Sequence, residues 1–274
     1  MQTQKTFRVK IQRSLRQLRL LTLAEKARFV SKVWSLRKRN RLFIAQNPGY
    51  PLPPKYLAFD AYSAPDWFFY KESGEASAAF LAETAKQYFN GNTQLASIYE
   101  WGCGPGRIIR HLPAVLGPSV RVFGSDYNPH TIEWCSKHIT DASFSLNGLN
   151  PPLVYPAQSF DFVYCISVFT HLSEATGLNW AAELYRVLKP NGILLITTSG
   201  DNAYESELLS AEKKDYQQGG IVIRGQYEEG KKMYLARHSP KYVRETLLGK
   251  FEILKHAPAG FPRIEQDYWI ARKK

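Results

Sequence analysis

Hydrophobic positions from residue 95 onward alternate between two spacings. Apolar residues three and four apart predict helices near residues 106–116, 129–138 and 173–188. Short continuous apolar runs predict buried strands near residues 95–101, 120–125, 142–146, 160–166 and 192–198. Because strands that alternate with helices form parallel sheets, this pattern predicts an α/β fold.

The C-terminal part continues the pattern after one interruption. A helix is predicted near 240–248, and two strands, over 251–256 and 267–272, are joined by a Pro/Gly loop that favours antiparallel pairing. The interruption covers 200–238. It contains a polar helical stretch (205–214) and then the apolar runs 221–224 and 233–236 around Glu228-Glu229-Gly230, which predict a hairpin. An insertion after the fifth strand lies at the edge where ligands bind in open α/β folds, so it is a candidate substrate cover.

The N-terminal part of the chain differs in composition from the predicted α/β region. Residues 1–46 carry apolar positions at helical spacing among many basic residues and predict a basic helical arm. Residues 47–73 are rich in proline and aromatic residues and predict a linker or lid; the stretch 47–54 cannot be helical. The lysine and proline at 189 and 190, with Asn191-Gly192, predict a helix stop and turn. A helix is predicted from about Gly74 to Phe89, so the α/β domain is expected over 74–274.

Charge is concentrated in the arm. Residues 1–41 contain thirteen Lys or Arg and one acid, Glu25, whereas the remaining residues contain 23 of each sign. Four uses are open: a solvated face on helices that dock on the body or on a second subunit, contact with an anionic membrane or polyanion, contact with nucleic acid, or an organelle presequence. Nucleic acid is the least favoured partner of the arm, because no aromatic-interleaved basic patch accompanies it.

Composition excludes several other classes of protein. The chain of 274 residues is 44% hydrophobic and can bury a full core, but no apolar run approaches the roughly 20 residues needed to span a bilayer. Arginines interrupt the first apolar positions, so no signal peptide is expected. The three cysteines (Cys103, Cys135, Cys165) are scattered and odd in number, which implies neither a disulfide framework nor a metal site. A cytoplasmic location is expected.

The turn after the first strand carries the strongest chemical signal. The strand ends in Glu100, and glycines follow at 102, 104 and 106 before an amphipathic stretch. Glycines at such a turn let the backbone approach a ligand closely. The next strand ends in Asp126, whose carboxylate can take the two hydroxyls of a ribose. A dinucleotide site would need its third glycine at Arg107, so the spacing favours a nucleoside ligand without a pyrophosphate.

These motifs resemble those of the class I S-adenosylmethionine-dependent methyltransferases. The Gly-x-Gly-x-Gly turn resembles their first motif, and further blocks resemble later motifs over about residues 74–274: 124–129, 147–153, 159–164, 167–173, 183–192 and 266–270. The resemblance implies a Rossmann-like, seven-stranded, mostly parallel sheet with the last strand antiparallel. It also implies helices on both faces, a helical N-terminal extension, and S-adenosyl-L-methionine as cofactor.

The resemblance also implies which residues bind the cofactor. The predicted residues are Glu100, Gly102, Cys103, Gly104, Gly106 and Arg107 near the methionine and ribose, Asp126 at the ribose hydroxyls, Tyr127 beside the adenine, Leu146 and Asn147 at the adenine edge, and Ile166 and Ser167 at the methionine. Cys103 is also interpreted as a small side chain suited to a tight loop. Trp101 departs from the family pattern, which has a small or aliphatic residue there. It is expected to fill space against the first helix.

The acceptor of the methyl group is less well defined. Methylation of a hydroxyl is helped by a general base, and His171 is the best-placed candidate; capping the following helix is the alternative role. The loop after the fourth strand reads Ile166-Ser167-Val168-Phe169 and lacks the Pro-Pro motif of nucleobase N-methyltransferases. We therefore expect methyl transfer to oxygen of a small molecule or of a glycan or lipid-linked intermediate. An RNA or protein methyltransferase, a non-catalytic cofactor-binding partner and a homodimer remain open.

Overall fold

The computed structural model describes residues 21–89, 94–201 and 208–274. The arm and the region after it contain α1 (Leu21–Ser35), α2 (Arg37–Gln46), α3 (Lys55–Tyr62) and α4 (Trp67–Tyr88). The alternating part contains β1 (Ser97–Trp101), α5 (Leu112–Leu116), β2 (Arg121–Asp126), α6 (Pro129–His138), β3 (Ser143–Leu146), β4 (Phe160–Cys165), α7 (Glu174–Val187) and β5 (Leu188–Thr198). The C-terminal part contains α8 (Ser210–Gln217), β6 (Ile221–Arg224), β7 (Leu235–His238), α9 (Pro240–Tyr242) with a π-helical continuation (Val243–Leu247), β8 (Phe251–Ala257) and β9 (Asp267–Lys273).

Seven strands form one sheet in the order β3-β2-β1-β4-β5-β9-β8. The first five are parallel to one another, and β9 is antiparallel to both β5 and β8. This confirms the predicted seven-stranded, mostly parallel sheet. Because parallel strands end at one edge, the carboxyl ends of β1, β2 and β4 meet there and bring Glu100 and Asp126 together.

Helices cover both faces of the sheet, as predicted. On one face the buried cluster includes Trp180 and Leu184 of α7, and on the other it includes Leu81 of α4 and Leu112 of α5. Every residue of β1 is buried, as expected of a strand covered on both sides. Burying each such large side chain contributes about 1.5–3 kcal/mol, so the two layers fix the strand ends on which the site is built.

The prediction of a helix over 106–116 was partly wrong. The chain stays in a turn after Gly106, whose φ of +73° is incompatible with a right-handed helix. A 3₁₀ turn over Ile109–His111 and the short helix α5 follow. The turn is therefore longer than the sequence pattern indicated.

The predicted start of a helix near Gly74 was also wrong. Helix α4 begins at Trp67. The Asp66 side chain caps it by accepting hydrogen bonds from the backbone N–H groups of Phe68 and Phe69. Gly74 lies inside the helix. A Cβ there would stand 2.0 Å from the carbonyl oxygen of Arg107, so this glycine marks the place where α4 packs against the glycine turn.

Two other predicted boundaries lie at different residues in the structure. The predicted stop at 189–192 lies within β5, where the register jumps between Leu188 and Ile193 and Asn191 has a φ of +62°. It is a bulge inside the strand rather than a turn before it. The predicted hairpin is present as β6 and β7, which pair antiparallel, with the second strand two residues later than predicted. The division into three regions stays a prediction, and residues 1–20 and 202–207 lie outside the described residues.

Candidate active site

A cleft opens at the carboxyl ends of β1, β2 and β4. It measures about 1060 Å³ including its open mouth. Ten of the twelve predicted cofactor-binding residues line it, together with His171: Glu100, Gly102, Cys103, Gly104, Arg107, Asp126, Tyr127, Asn147, Ile166 and Ser167. The sheet edge therefore brings together residues that are far apart in the sequence.

Backbone hydrogen bonds fix the glycine turn on the floor of this cleft. The N–H groups of Gly102 and Cys103 both donate to the carbonyl oxygen of Ser125, over 2.8 and 2.9 Å. The N–H of Gly104 donates to Asp126 Oδ2 over 2.9 Å. Gly102 has a φ of +75°, and a Cβ there would lie 2.5 Å from Val168 Cγ2. The turn thus needs glycine for both its conformation and its close packing.

Asp126 is oriented by two backbone donors. Oδ2 accepts the bond from Gly104, and Oδ1 accepts one from the N–H of Asn128 over 2.9 Å. Burial raises the pKa of Asp126 to about 6, although the two hydrogen bonds oppose the rise. At neutral pH the group is therefore largely a carboxylate, and its remaining lone pairs suit the two hydroxyls of a ribose.

Glu100 has a different electrostatic state. Only 3% of it is exposed, and Oε2 accepts a hydrogen bond from the Tyr164 hydroxyl over 2.8 Å. Burial raises its pKa to about 8, against the lowering effects of the Tyr164 hydrogen bond and the Arg107 charge. The side chain is thus mainly protonated at neutral pH and becomes a carboxylate when a cation is brought beside it. This property fits a positively charged ligand.

Arg107 brings a positive charge to the cleft. Its Nη1 donates to Ser73 Oγ over 3.0 Å, and its guanidinium lies over the rings of Tyr62 (5.1 Å) and Phe69 (5.8 Å). Its Nε and the Tyr62 hydroxyl are buried and have no hydrogen-bond partner among the described residues, and both residues line the cleft. Unpartnered buried polar atoms are costly unless a ligand satisfies them. Arg107 therefore suits a carboxylate of the ligand.

Asn147 and Ser167 are held by the ends of neighbouring strands. Asn147 Oδ1 accepts a hydrogen bond from Ser125 Oγ over 2.7 Å. Ser167 has a φ of +62°; its N–H donates to Thr197 Oγ1 over 2.8 Å and its Oγ donates to Gln266 Oε1 over 2.9 Å. These contacts fix the two positions predicted at opposite ends of the cofactor.

Two predicted residues and one predicted contact differ in the structure. Gly106 does not line the cleft; a Cβ there would lie 2.2 Å from Ile139 Cδ1, so it packs against the end of α6. Leu146 is half exposed and outside the lining, because it is the last residue of the edge strand β3. Trp101 does not pack on the first helix of the sheet as expected. It stacks on Trp180 of α7, with ring centroids 4.4 Å apart.

Cys103 fits the simpler of its two interpretations. It is 3% exposed, and burial raises the pKa of its thiol well above the ordinary value. A thiol in that state is a poor nucleophile. Cys103 lines the cleft as a small neutral side chain.

The roof of the cleft comes from the two segments predicted as a possible lid (47–73) and a candidate substrate cover (200–238), but the sequence did not identify its individual residues. Helix α3 contributes Leu57, Asp60, Ala61 and Tyr62, and the loop between β6 and β7 contributes Gly230 and Lys232. Lys232 Nζ lies 3.5 Å from the centroid of the Phe59 ring and forms an ion pair with Glu25 Oε2 of α1 over 3.0 Å. The sequence did hold a signal for this contact, because Glu25 is the only acid among residues 1–41.

His171 lies at the wall of the cleft in the 3₁₀ turn Phe169–His171. Its Nδ1 is 2.8 Å from the carbonyl oxygen of Tyr234, which can only accept, so Nδ1 carries the hydrogen and donates it. Nε2 is then the nitrogen with the free lone pair. Burial lowers the pKa of His171, so the ring is neutral at physiological pH. A neutral imidazole in a cleft can accept a proton.

Comparison with known proteins agrees with this geometry. Residues 99–196 match the family model described as "Methyltransferase domain". The chain carries a class I S-adenosylmethionine-dependent methyltransferase domain. The matched segment runs from β1 to β5 and includes every predicted cofactor-binding residue.

Solved structures share the fold of this methyltransferase. A SAM-dependent methyltransferase from Methanosarcina mazei is 22% identical, with a TM-score of 0.51, over 69% of this chain and 96% of that one. A protein from Pyrococcus horikoshii is 15% identical, with a TM-score of 0.54, over 75% of this chain and 95% of that one. At these identities the likeness shows the fold.

The cofactor of the methyltransferase is S-adenosyl-L-methionine. The residues in the cleft fit its chemistry: Asp126 suits the ribose hydroxyls, Arg107 the carboxylate, and Glu100 the positive charges. When bound, the cofactor supplies an electrophilic methyl group on a sulfonium. No described helix combines the length and hydrophobicity needed to cross a membrane.

Proposed function

We propose that this methyltransferase methylates a hydroxyl oxygen of a small molecule or of a glycan or lipid-linked intermediate, with His171 as the general base. The observation that carries the proposal is the state of His171: a neutral imidazole in the wall of the cleft, whose Nδ1–H donates to the Tyr234 carbonyl and whose Nε2 keeps its lone pair. A hydroxyl is a weak nucleophile near neutral pH, so removal of its proton during attack lowers the barrier.

The reaction needs one proton acceptor. Glu100, Arg107 and Asp126 would hold the cofactor, which would supply the methyl group, and His171 Nε2 would take the proton that the acceptor hydroxyl loses. The Nδ1–H bond to the Tyr234 carbonyl holds the ring in one tautomer and stabilises the imidazolium that results. Positioning of acceptor and base then supplies much of the remaining acceleration.

The roof of the cleft joins the cofactor side of the site to the proposed base. The Tyr127 hydroxyl donates to the carbonyl oxygen of Gly230 over 3.2 Å, and the N–H of Gly230 donates to the carbonyl oxygen of His171 over 2.9 Å. The loop that carries Gly230 therefore connects the residue beside Asp126 to the proposed base.

The test distinguishes a role of His171 as a base from a purely structural role. His171→Asn keeps an N–H donor for the Tyr234 carbonyl but has no group that can accept the proton, whereas His171→Ala removes both. His130→Ala, at an exposed position on α6, is the matched control. We expect both His171 variants to lose roughly 10²- to 10⁴-fold in transfer of labelled methyl to a screened panel of hydroxylated acceptors, while the control stays near wild type.

Cofactor affinity provides the second readout. Titration with S-adenosylhomocysteine should give dissociation constants for His171→Asn and wild type that agree within about twofold, because the Asn variant retains the loop contact. An activity loss below about threefold in the Asn variant would return His171 to a structural role. A parallel loss of cofactor affinity and activity would contradict the assignment in the same way.

A further inference from the structure

Helix α1 exposes a row of large apolar side chains. Leu23, Val30 and Trp34 are 63%, 65% and 65% exposed. Positions seven and eleven residues apart return to nearly the same side of a helix, so the three form one stripe. We refer to Leu23, Val30 and Trp34 as the outer stripe.

The opposite side of α1 already makes the contacts that hold it to the body. Phe29 packs against Phe59 with ring centroids 5.2 Å apart, and Glu25 pairs with Lys232. The outer stripe therefore contributes nothing to this packing. A row of exposed apolar side chains on a helix that contacts the body through its other side indicates an interaction site.

Helices α1 and α2 carry a net positive charge. Between residues 21 and 46 there are seven basic residues and one acid, Glu25, which gives a net charge of +6. The Arg37 guanidinium lies 4.7 Å from the centroid of the Trp34 ring, at the end of the stripe. On helix α2, Leu42 and Ile44 are 53% and 52% exposed, but they lie two residues apart and therefore on different sides of that helix. The outer stripe thus ends against a cationic side chain, on two helices that carry a net positive charge.

We propose that the outer stripe of α1, together with the basic residues of α1 and α2, docks on the surface of an anionic lipid bilayer. Leu, Val and Trp side chains gain by entering the boundary between headgroups and acyl chains, and Trp favours that depth. Each Lys or Arg near an anionic surface adds about 1 kcal/mol of attraction. A nucleic acid would satisfy the charges but would leave Leu23 and Val30 in water, so the combination favours lipid.

The proposal does not depend on which acceptor the enzyme methylates. It does place the active site close to the bilayer, because α1 carries both the outer stripe and Glu25, the residue that holds Lys232 at the cleft. An acceptor with a lipid anchor would then reach the cleft without leaving the surface.

The experiment uses the full chain and sedimentation with vesicles. Wild type is mixed with vesicles of phosphatidylcholine alone or with about 30% phosphatidylglycerol, an anionic lipid. The stripe variant combines Leu23→Ser, Val30→Ser and Trp34→Ser. The control variant combines Val115→Ser and Val154→Ser, which replace exposed apolar residues elsewhere (42% and 70% exposed). Affinity for S-adenosylhomocysteine checks that each variant is folded.

We expect wild type to bind the anionic vesicles at least about tenfold more tightly than the neutral ones. The stripe variant should lose roughly tenfold or more of this affinity, and the control variant should lose none. Two results would overturn the proposal: no binding of wild type to the anionic vesicles, or equal binding by wild type and stripe variant. Binding to a polyuridylate RNA without vesicle binding, or a wild-type dimer that the stripe variant dissociates, would overturn it in favour of another occupant.

Discussion

The buried carboxyl group of Glu100 has a measurable effect on stability. Its pKa is about 8 in the folded protein, against an ordinary value of 4.5. Between these two values the unfolded chain has released the proton and the folded chain has kept it. The folded state is therefore favoured at low pH and loses stability as the pH rises, by about 1.36 kcal/mol per pH unit from this group.

Glu100→Gln removes this titration and keeps an oxygen that accepts the hydrogen bond from Tyr164. From pH 5 to pH 7 the free energy of unfolding of the variant should rise relative to wild type by about 2.7 kcal/mol. For a chain of 274 residues the entropy of unfolding is about 0.6 kcal/mol per kelvin, so the difference in Tm should change by about 5 °C.

Calorimetric scans of both proteins at pH 5, 6, 7 and 8 measure this quantity. Glu83→Gln, at a carboxylate whose side chain is 71% exposed, is the control for a simple loss of charge. The other titrating groups are shared, so they largely cancel in the difference between the proteins. If wild type and Glu100→Gln lose stability in parallel between pH 5 and pH 8, the buried, protonated state assigned to Glu100 is wrong.

Two further predictions concern the elements packed around the cleft. Gly74→Ala should destabilise the protein by about 1–3 kcal/mol and weaken cofactor binding, because its Cβ would collide with the carbonyl of Arg107. Gly177→Ala in α7 is the control, because a Cβ there would lie 3.7 Å from its nearest neighbour, Phe169 Cδ1; it should be neutral or stabilising in chemical denaturation. Equal losses of stability in the two variants would refute the packing argument. Glu25→Ala and Lys232→Ala should each speed cofactor release in stopped-flow measurements. The double variant should release the cofactor no faster than either single variant. Additive increases in the release rate would show that the ion pair does not hold the roof closed.

The sequence was most informative where local pattern and chemistry coincide. The positions of Glu100 and Asp126 at the ends of two strands could be predicted because an apolar run stops at each carboxylate. The parallel sheet could be predicted from the alternation of strands and helices. His171 was predicted beside the cleft because it follows the fourth strand, and the structure places it there.

Packing between distant elements could not be predicted in the same way. The helix was predicted to start near Gly74, but it starts at Trp67, and the approach of the Arg107 carbonyl explains why a glycine lies inside it. The roof residues Asp60, Tyr62 and Lys232 come from two segments with no shared motif. Their convergence depends on how α3 and the loop between β6 and β7 fold over the sheet edge.

The measurement that tests the central claim most directly is calorimetric titration of the protein with S-adenosylhomocysteine, in parallel with Asp126→Ala and the exposed-site control Asp141→Ala. Removing two charge-assisted hydrogen bonds should cost at least about 3 kcal/mol, so the Asp126 variant should bind roughly 100-fold more weakly or not at all, while the control matches wild type. Unchanged affinity in a folded Asp126 variant, or no binding by wild type, would contradict the assignment of this cleft as the cofactor site.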